Sequence, residues 1–235
     1  TSHMGFTGRK SVIKSYTWFP DFQEINLPNN FSLMARFLRY INLKLAFKNS
    51  TNLLISSKSV LDDLRKINKD YVKKAILIKH AIDIPKIPSY ITSQKILNKY
   101  KLKNKYFFLP NHLWKHKNHI VVLKALNYLK KKVNIKIVAS GHFNDHRNPH
   151  HSTKIMNYIN SHNLNKNFIH LGILPFEEMI SLILRSVAVI NPSKSEGWSN
   201  TVEQAKSLGK KVILSDIQTH KEQIDKNFFY FKSDS

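Results

Sequence analysis

Cysteine is absent from the 235-residue chain, which excludes both a disulfide framework and a thiolate metal site. No apolar run approaches the ~20 residues that a membrane-spanning helix needs. No leader of the secretory kind is evident, and the opening Thr1–Met4 reads as the remnant of a cloning vector. The expected location is therefore the cytoplasm, with the inner face of the cell membrane as a peripheral site. No Gly-x-Ser-x-Gly elbow, Walker-type phosphate loop, zinc helix motif or Asp-x-Asp pair occurs. Internal repeats and low-complexity tracts are missing too. Acidic residues are scarce, 15 against 38 Lys and Arg, for a formal charge of +23.

That basic excess is spread along the chain: residues 1–92 hold 15 basic and 6 acidic side chains, residues 93–235 hold 23 and 9. Such a field attracts nucleic acid, anionic lipid or phosphorylated small molecules. An AT-rich coding sequence, with its abundant Lys, Asn and Ile, explains it equally well. The aromatics of "TWFPDF" and "NKYFFL" interleave with few basic residues, so the stacking platform of a single-strand binder is not evident and nucleic acid is not an expected partner. The 42% hydrophobic and 23% charged fractions are those of a globular protein able to bury one large core or two small ones.

From residue 106 onward, short apolar strand candidates ("YFFLP", "VNIKIVASG", "NFIHLGIL", "VAVINPS", "KVILSD", "FFYF") alternate with segments of helical spacing. This alternation predicts right-handed crossovers and a doubly wound parallel sheet. Residues 8–92 read as α/β as well, but as only about half of a Rossmann-like domain. The join falls in "IPKIPSYITSQKILNKYKLKNK", which sets the expected domains at 1–92 and 93–235.

The stretch "NPSKSEGWSNTVEQAKSLGKKVILSD" carries the densest chemistry. It places a carboxylate, a glycine and a Ser-Asn-Thr triplet where a helix begins beyond a strand. Asn200 and Glu203 fit the spacing of a capping box, which predicts that Glu203 reaches back to the helix start. The first-turn N–H groups then form a site for phosphate. Gly197 lets the backbone approach a ligand closely, and Glu196, outside the helix, is placed to accept hydrogen bonds from sugar hydroxyls. His142, His146, His150 and His151 lie in a Gly/Asn/Pro-rich stretch and read as exposed loop histidines, so no metal site is expected.

The segment resembles the donor-site signature of GT-B glycosyltransferases, specifically the retaining family 4 (group 1 glycosyltransferases). Glu196-Gly197-Trp198 begins the match and Ala205 ends it, with Gln204 where the family has a second glutamate. "LPNHLWKHKNHIVVLKAL" is similar to the strand, loop and helix whose Arg and Lys clamp the diphosphate; Lys117 falls on the lysine and His112 on the arginine. "FIHLGILPFEEM" is similar to the turn where the base is held by backbone, which implies Gly172 and Ile173. "SLGKKVILSDIQTHKEQI" and "YTWFPDFQEINLPNNFS" resemble the subgroup that builds bacterial surface polysaccharides such as lipopolysaccharide.

The resemblance implies a GT-B fold, with a Rossmann-like doubly wound parallel sheet as donor domain and a partial Rossmann-like acceptor domain. It implies a metal-independent, hexosyltransferase-like enzyme with no cofactor, moving a sugar with retention from UDP-sugar or GDP-sugar to a glycan or lipid-linked acceptor. Glu196 and Lys117 are then the catalytic candidates, with His112, Gly197, Trp198, Ser199, Asn200, Thr201, Gln204, Gly172 and Ile173 binding the donor. The departures at Gln204 and His112 also admit a catalytically inactive subunit or binding protein of the same fold. An anionic membrane surface is a further candidate partner, met by Arg36, Arg39, Lys44 and Lys48 on a helix over 31–48 with Phe31, Phe37 and Leu38 as shallow anchors.

Overall fold

The computed structural model describes residues 14–233 except Pro85 and Asn104. The expected vector remnant Thr1–Met4 and the start of the α/β region expected over residues 8–92 lie outside the described residues. The chain divides into two compact units. One runs to Ala81 and includes Ser195–Ser199; the other comprises Ile82–Lys194 and the chain from Asn200 onward.

In the first unit, β1 (Tyr16–Phe19), β2 (Asn52–Ile55) and β3 (Ala75–Leu77) form a parallel sheet in that order. α1 (Gln23–Asn26), α2 (Leu33–Asn49) and α3 (Lys58–Ile67) supply the helices. Serines start the two longer ones: Ser32 Oγ accepts the Ala35 N–H and Ser57 Oγ the Val60 N–H, each at 3.1 Å. These bonds satisfy donors that the first turn leaves open. Phe19, Leu43, Ala46, Leu53, Ile55 and Leu64 pack one core beneath the sheet.

In the second unit, α4 (Tyr90–Lys99) leads into β4 (Phe107–Leu109), α5 (His119–Leu129), β5 (Ile137–Ala139), α6 (His151–Ser161) and β6 (Phe168–His170). Then follow α7 (Phe176–Arg185), β7 (Val189–Asn191), α8 (Asn200–Ser207), β8 (Val212–Ser215), α9 (Gln218–Gln223) and β9 (Phe228–Phe231). The sheet is parallel with order β6-β5-β4-β7-β8-β9. Alternation along the strands feeds two cores. Phe108, Val138, Val189 and Val212 meet α4, α7 and α8 on one face, while Leu109, Ile137, Ala139 and Ile190 meet α5 and α6 on the other.

The helix α4 lies within the segment expected to join the two domains. Its apolar Ile96 and Leu97 are buried in the core shared with α7, and Ser89 caps it. Because β5 and β6 extend from one side of β4 while β7, β8 and β9 lie on the other, the winding reverses between β4 and β7. The loops after those two strands diverge and open a crevice at their carboxyl ends. Among the described residues no helix is long and apolar enough to cross a membrane.

Candidate functional site

Four loops meet at the carboxyl ends of β4 to β7, and hydrogen bonds tie them in sequence. The Lys194 N–H donates to the His116 carbonyl at 2.8 Å, joining the loop after β7 to the 3-10 turn Lys115–Lys117 after β4. The Thr201 hydroxyl, in the first turn of α8, lies 3.2 Å from Asn111 Oδ1 and 3.4 Å from the Pro110 carbonyl. The His142 N–H donates to His112 Nδ1 at 2.9 Å, and the Gly141 N–H donates to the Gly172 carbonyl at 2.8 Å. His112, Lys117, Asn200, Thr201 and Gly172 are thereby gathered at one edge of the second unit.

A buried polar knot underlies this edge. Asn111 Nδ2 donates to Asn191 Oδ1 at 3.0 Å, and the same oxygen accepts the Ser193 hydroxyl at 2.7 Å. Strand-end asparagines bridging β4 and β7 hold the crevice walls at fixed separation. The sequence reading did not single out Asn111 or Asn191, although an Asn directly following an apolar strand was the signal available.

His112 has a defined role in this frame. Burial lowers its pKa, with His142 and Lys117 pushing the same way. Nδ1 accepts from His142, so the neutral ring carries its proton on Nε2. The residue therefore offers a neutral N–H where an arginine would bring charge. Gly141, at φ +127°, makes room for it: a Cβ there would lie 2.8 Å from His112 N and Nδ1. Asp145 rigidifies the same loop. Burial raises its pKa, but bonds from the Lys115 and Arg147 N–H groups and from Asn148 Nδ2 outweigh burial and leave it lowered.

The histidines expected as exposed loop residues divide. His142, His146 and His150 are exposed, but His151 opens α6 with Nε2 buried. Gly172 takes φ +73° in a turn that leaves Ile173 64% exposed beside it.

Glu203 departs from the expected capping box. Asn200 is already the first residue of α8, and Glu203 is buried, its Oε1 accepting from Lys206 Nζ at 3.0 Å and Gln223 Nε2 at 3.1 Å. The interior pairing wins because it satisfies the buried Gln223 amide. Gln204 is buried one residue on, and its side chain makes no hydrogen bond among the described residues.

The remaining predicted residues, Glu196, Gly197, Trp198 and Ser199, fall in the segment that groups with the first unit. Gly197 serves a close approach, but to protein: a Cβ would lie 1.6 Å from the Pro20 carbonyl oxygen. Trp198 Nε1 donates to the His80 carbonyl at 2.9 Å, so its one polar handle is used within the fold. Glu196 is partly exposed in the loop preceding α8. Thr201 likewise spends its hydroxyl on the β4 loop.

Comparison with known proteins follows this geometry. Residues 91–235 match the family model described as glycosyl transferases group 1. The chain is 27% identical over 193 residues to N-acetylgalactosamine-N,N'-diacetylbacillosaminyl-diphospho-undecaprenol 4-alpha-N-acetylgalactosaminyltransferase of Campylobacter jejuni, covering 81% of this chain and 47% of that protein. Its fold is similar to Anabaena HepE in complex with UDP and glucose, at TM-score 0.79 and 16% identity over 93% of this chain and 58% of that one. Sucrose-phosphate synthase from Thermosynechococcus elongatus is similar at TM-score 0.78 and 12% identity, covering 96% and 56%. The chain thus spans about half the length of these relatives.

Proposed function

The chain belongs to the group 1 glycosyl transferases, and from that premise we propose that it moves a sugar from a nucleoside diphosphate sugar to a lipid-linked or surface-glycan acceptor. The observation carrying this reading is the junction of the α8 start with the β4 loop through Thr201, Pro110 and Asn111. First-turn N–H groups and a lysine on the neighbouring loop are suited to the two phosphates. On this reading the α8 start and Lys117 stabilise the negative charge that develops as the nucleotide leaves. His112 adds its neutral Nε2–H. Gly172 and Ile173 hold the base, Gln204 the ribose, and Glu196 the sugar ring. Transfer proceeds with retention and without a metal, and UDP or GDP is the nucleotide. A lipid-linked acceptor is supported by the Campylobacter relative, whose name specifies a diphospho-undecaprenol substrate.

A second reading, a non-catalytic subunit of the same fold, is favoured by Gln204 and His112, which remove a carboxylate and a cation from the matched positions. Thermal melting with UDP and GDP tests both readings. Nucleotide at ~100 times its Kd adds roughly 2.7 kcal/mol of stability, and Lys117→Ala removes most of that shift. No shift with either nucleotide refutes the donor site in both readings. A shift without turnover in a chain that includes all of the acceptor side selects the second.

A further inference from the structure

The first unit carries an aromatic cluster in which Trp198 alone is among the expected donor-binding residues. Trp18, next to last in β1, has its ring centroid 6.2 Å from that of His80 in an edge contact. His80 follows β3 and lies 6.3 Å from Trp198. The Trp198 N–H is anchored on the His80 carbonyl, and Lys79 Nζ lies 5.7 Å above the Trp198 ring. Three separate segments therefore bring two indoles and an imidazole together at the carboxyl ends of the parallel strands β1 and β3.

The chain invests heavily in placing Trp198 there. Gly197 must be glycine for the backbone to lie against the Pro20 carbonyl, and Ser56 Oγ donates to that same carbonyl at 2.7 Å. Yet neither indole is consigned to the core: Trp18, Trp198 and His80 all remain partly exposed, and Lys79 is exposed. Aromatic side chains placed only for packing would be sealed like Phe19 and Phe22, which are 5% and 2% exposed. Ligands of parallel α/β sheets bind beyond the carboxyl ends of the strands, and half-exposed indoles with a polar rim combine apolar faces with hydrogen-bonding edges.

We propose that Trp18, His80 and Trp198 form a saccharide subsite, in which a pyranose ring of the acceptor glycan lays its C–H face against an indole and its hydroxyls meet the rim at Lys79 and His80. An indole offers flat apolar area that the C–H face of a pyranose covers without stranding a hydroxyl, and Lys79, over the Trp198 ring, supplies a donor beside the Trp18 face. The saccharide's place as acceptor rests on the transferase reading above; its binding at the indoles does not.

The test is saturation-transfer NMR on this chain with methyl α- and β-pyranosides of glucose, galactose, N-acetylglucosamine and N-acetylgalactosamine, each at about 10 mM to detect millimolar Kd. At least one probe receives saturation at its ring C–H protons. Trp18→Ala weakens that binding about tenfold, the scale of one lost aromatic contact, while Trp18→Phe keeps most of it. Thermal melting confirms that each variant is folded, and the UDP shift persists in Trp18→Ala. Transfer that Trp18→Ala leaves unchanged, or no transfer from any probe, overturns the assignment. Loss of the UDP shift in the parent chain with saccharide binding intact overturns the donor reading instead and leaves the subsite standing.

Discussion

At the scale of single residues, the most consequential finding is a set of neutral histidines beneath the crevice. His119 starts α5, is fully buried, and neither ring nitrogen makes a well-aligned hydrogen bond among the described residues. Its pKa is lowered to about 3 by burial first, then by His170, His151 and Lys117, with the Asn111 carbonyl opposing. Burial lowers His170 and His151 also. A histidine that refuses a proton in the native state, while the unfolded chain accepts one near pH 6.5, costs stability as pH falls from that value toward its native pKa. Its contribution is complete above pH 6.5. Between pH 7 and pH 5, His119 alone should remove about 2 kcal/mol, and His119→Leu should lessen the acid loss by that amount in urea unfolding at the two pH values. An equal acid loss in the variant would show that His119 is protonated in the native state. Glu203 and Glu196 separate by a different measurement. Glu203→Ala removes a hydrogen-bond acceptor of the buried Gln223 amide and the anion facing Lys206, and should cost about 1–3 kcal/mol. Glu196→Gln should leave stability nearly unchanged while erasing any preference for UDP-sugar over UDP in calorimetry. The reverse ranking would place the sugar-binding carboxylate at Glu203.

At the scale of elements, α2 carries the membrane reading. Of its 17 residues only Leu43 and Ala46 are buried, while Leu33, Met34, Phe37 and Leu38 are exposed together with Arg36, Lys44 and Lys48. Arg39 must be removed from the expected cations. Its Nε lies 2.7 Å from Glu24, its Nη2 3.5 Å from Asp21, and its guanidinium over the Phe31 ring. Burial raises the Glu24 carboxyl against the pull of Arg39, so that arginine has a structural anion to hold. Arg36, Lys44 and Lys48 remain, each worth about 1 kcal/mol near an anionic surface. Co-sedimentation with phosphatidylserine-containing vesicles should show binding that falls steeply with salt. Neutralising the three, as Arg36→Gln, Lys44→Gln and Lys48→Gln together, should weaken it by roughly 3 kcal/mol. Equal binding to neutral vesicles would leave the net charge of +23 without this use.

At the scale of the whole molecule, local periodicity carried most of the fold. The alternation of short apolar runs with helical spacing specified the strands of both sheets and their parallel sense, because side-chain period and crossover geometry are set by neighbouring residues. The helix α4 was less legible, since its proline-preceded, lysine-rich run shows few apolar positions and its place is set by packing against α7. The structure gathers His112, Lys117, Asn200, Thr201 and Gly172 at one edge of the second unit, beyond strand ends that the pattern locates. What the spacing could not show is each side chain's partner. Gly197 fits a glycine-requiring approach on sequence grounds, but that the neighbour is Pro20 depends on tertiary contact. Asn111 pairs with Asn191 across 80 residues, and Trp198 reaches His80 across 118. Glu203 turned inward to Gln223, twenty positions on, although a local box stood available. The sequence alone determined where elements lie and which loops share the strand ends, because those follow from short-range pattern. Only the tertiary structure decided which polar groups are spent inside the fold and which stay available to a ligand, because desolvation makes each buried group choose the partner that long-range packing brings to it.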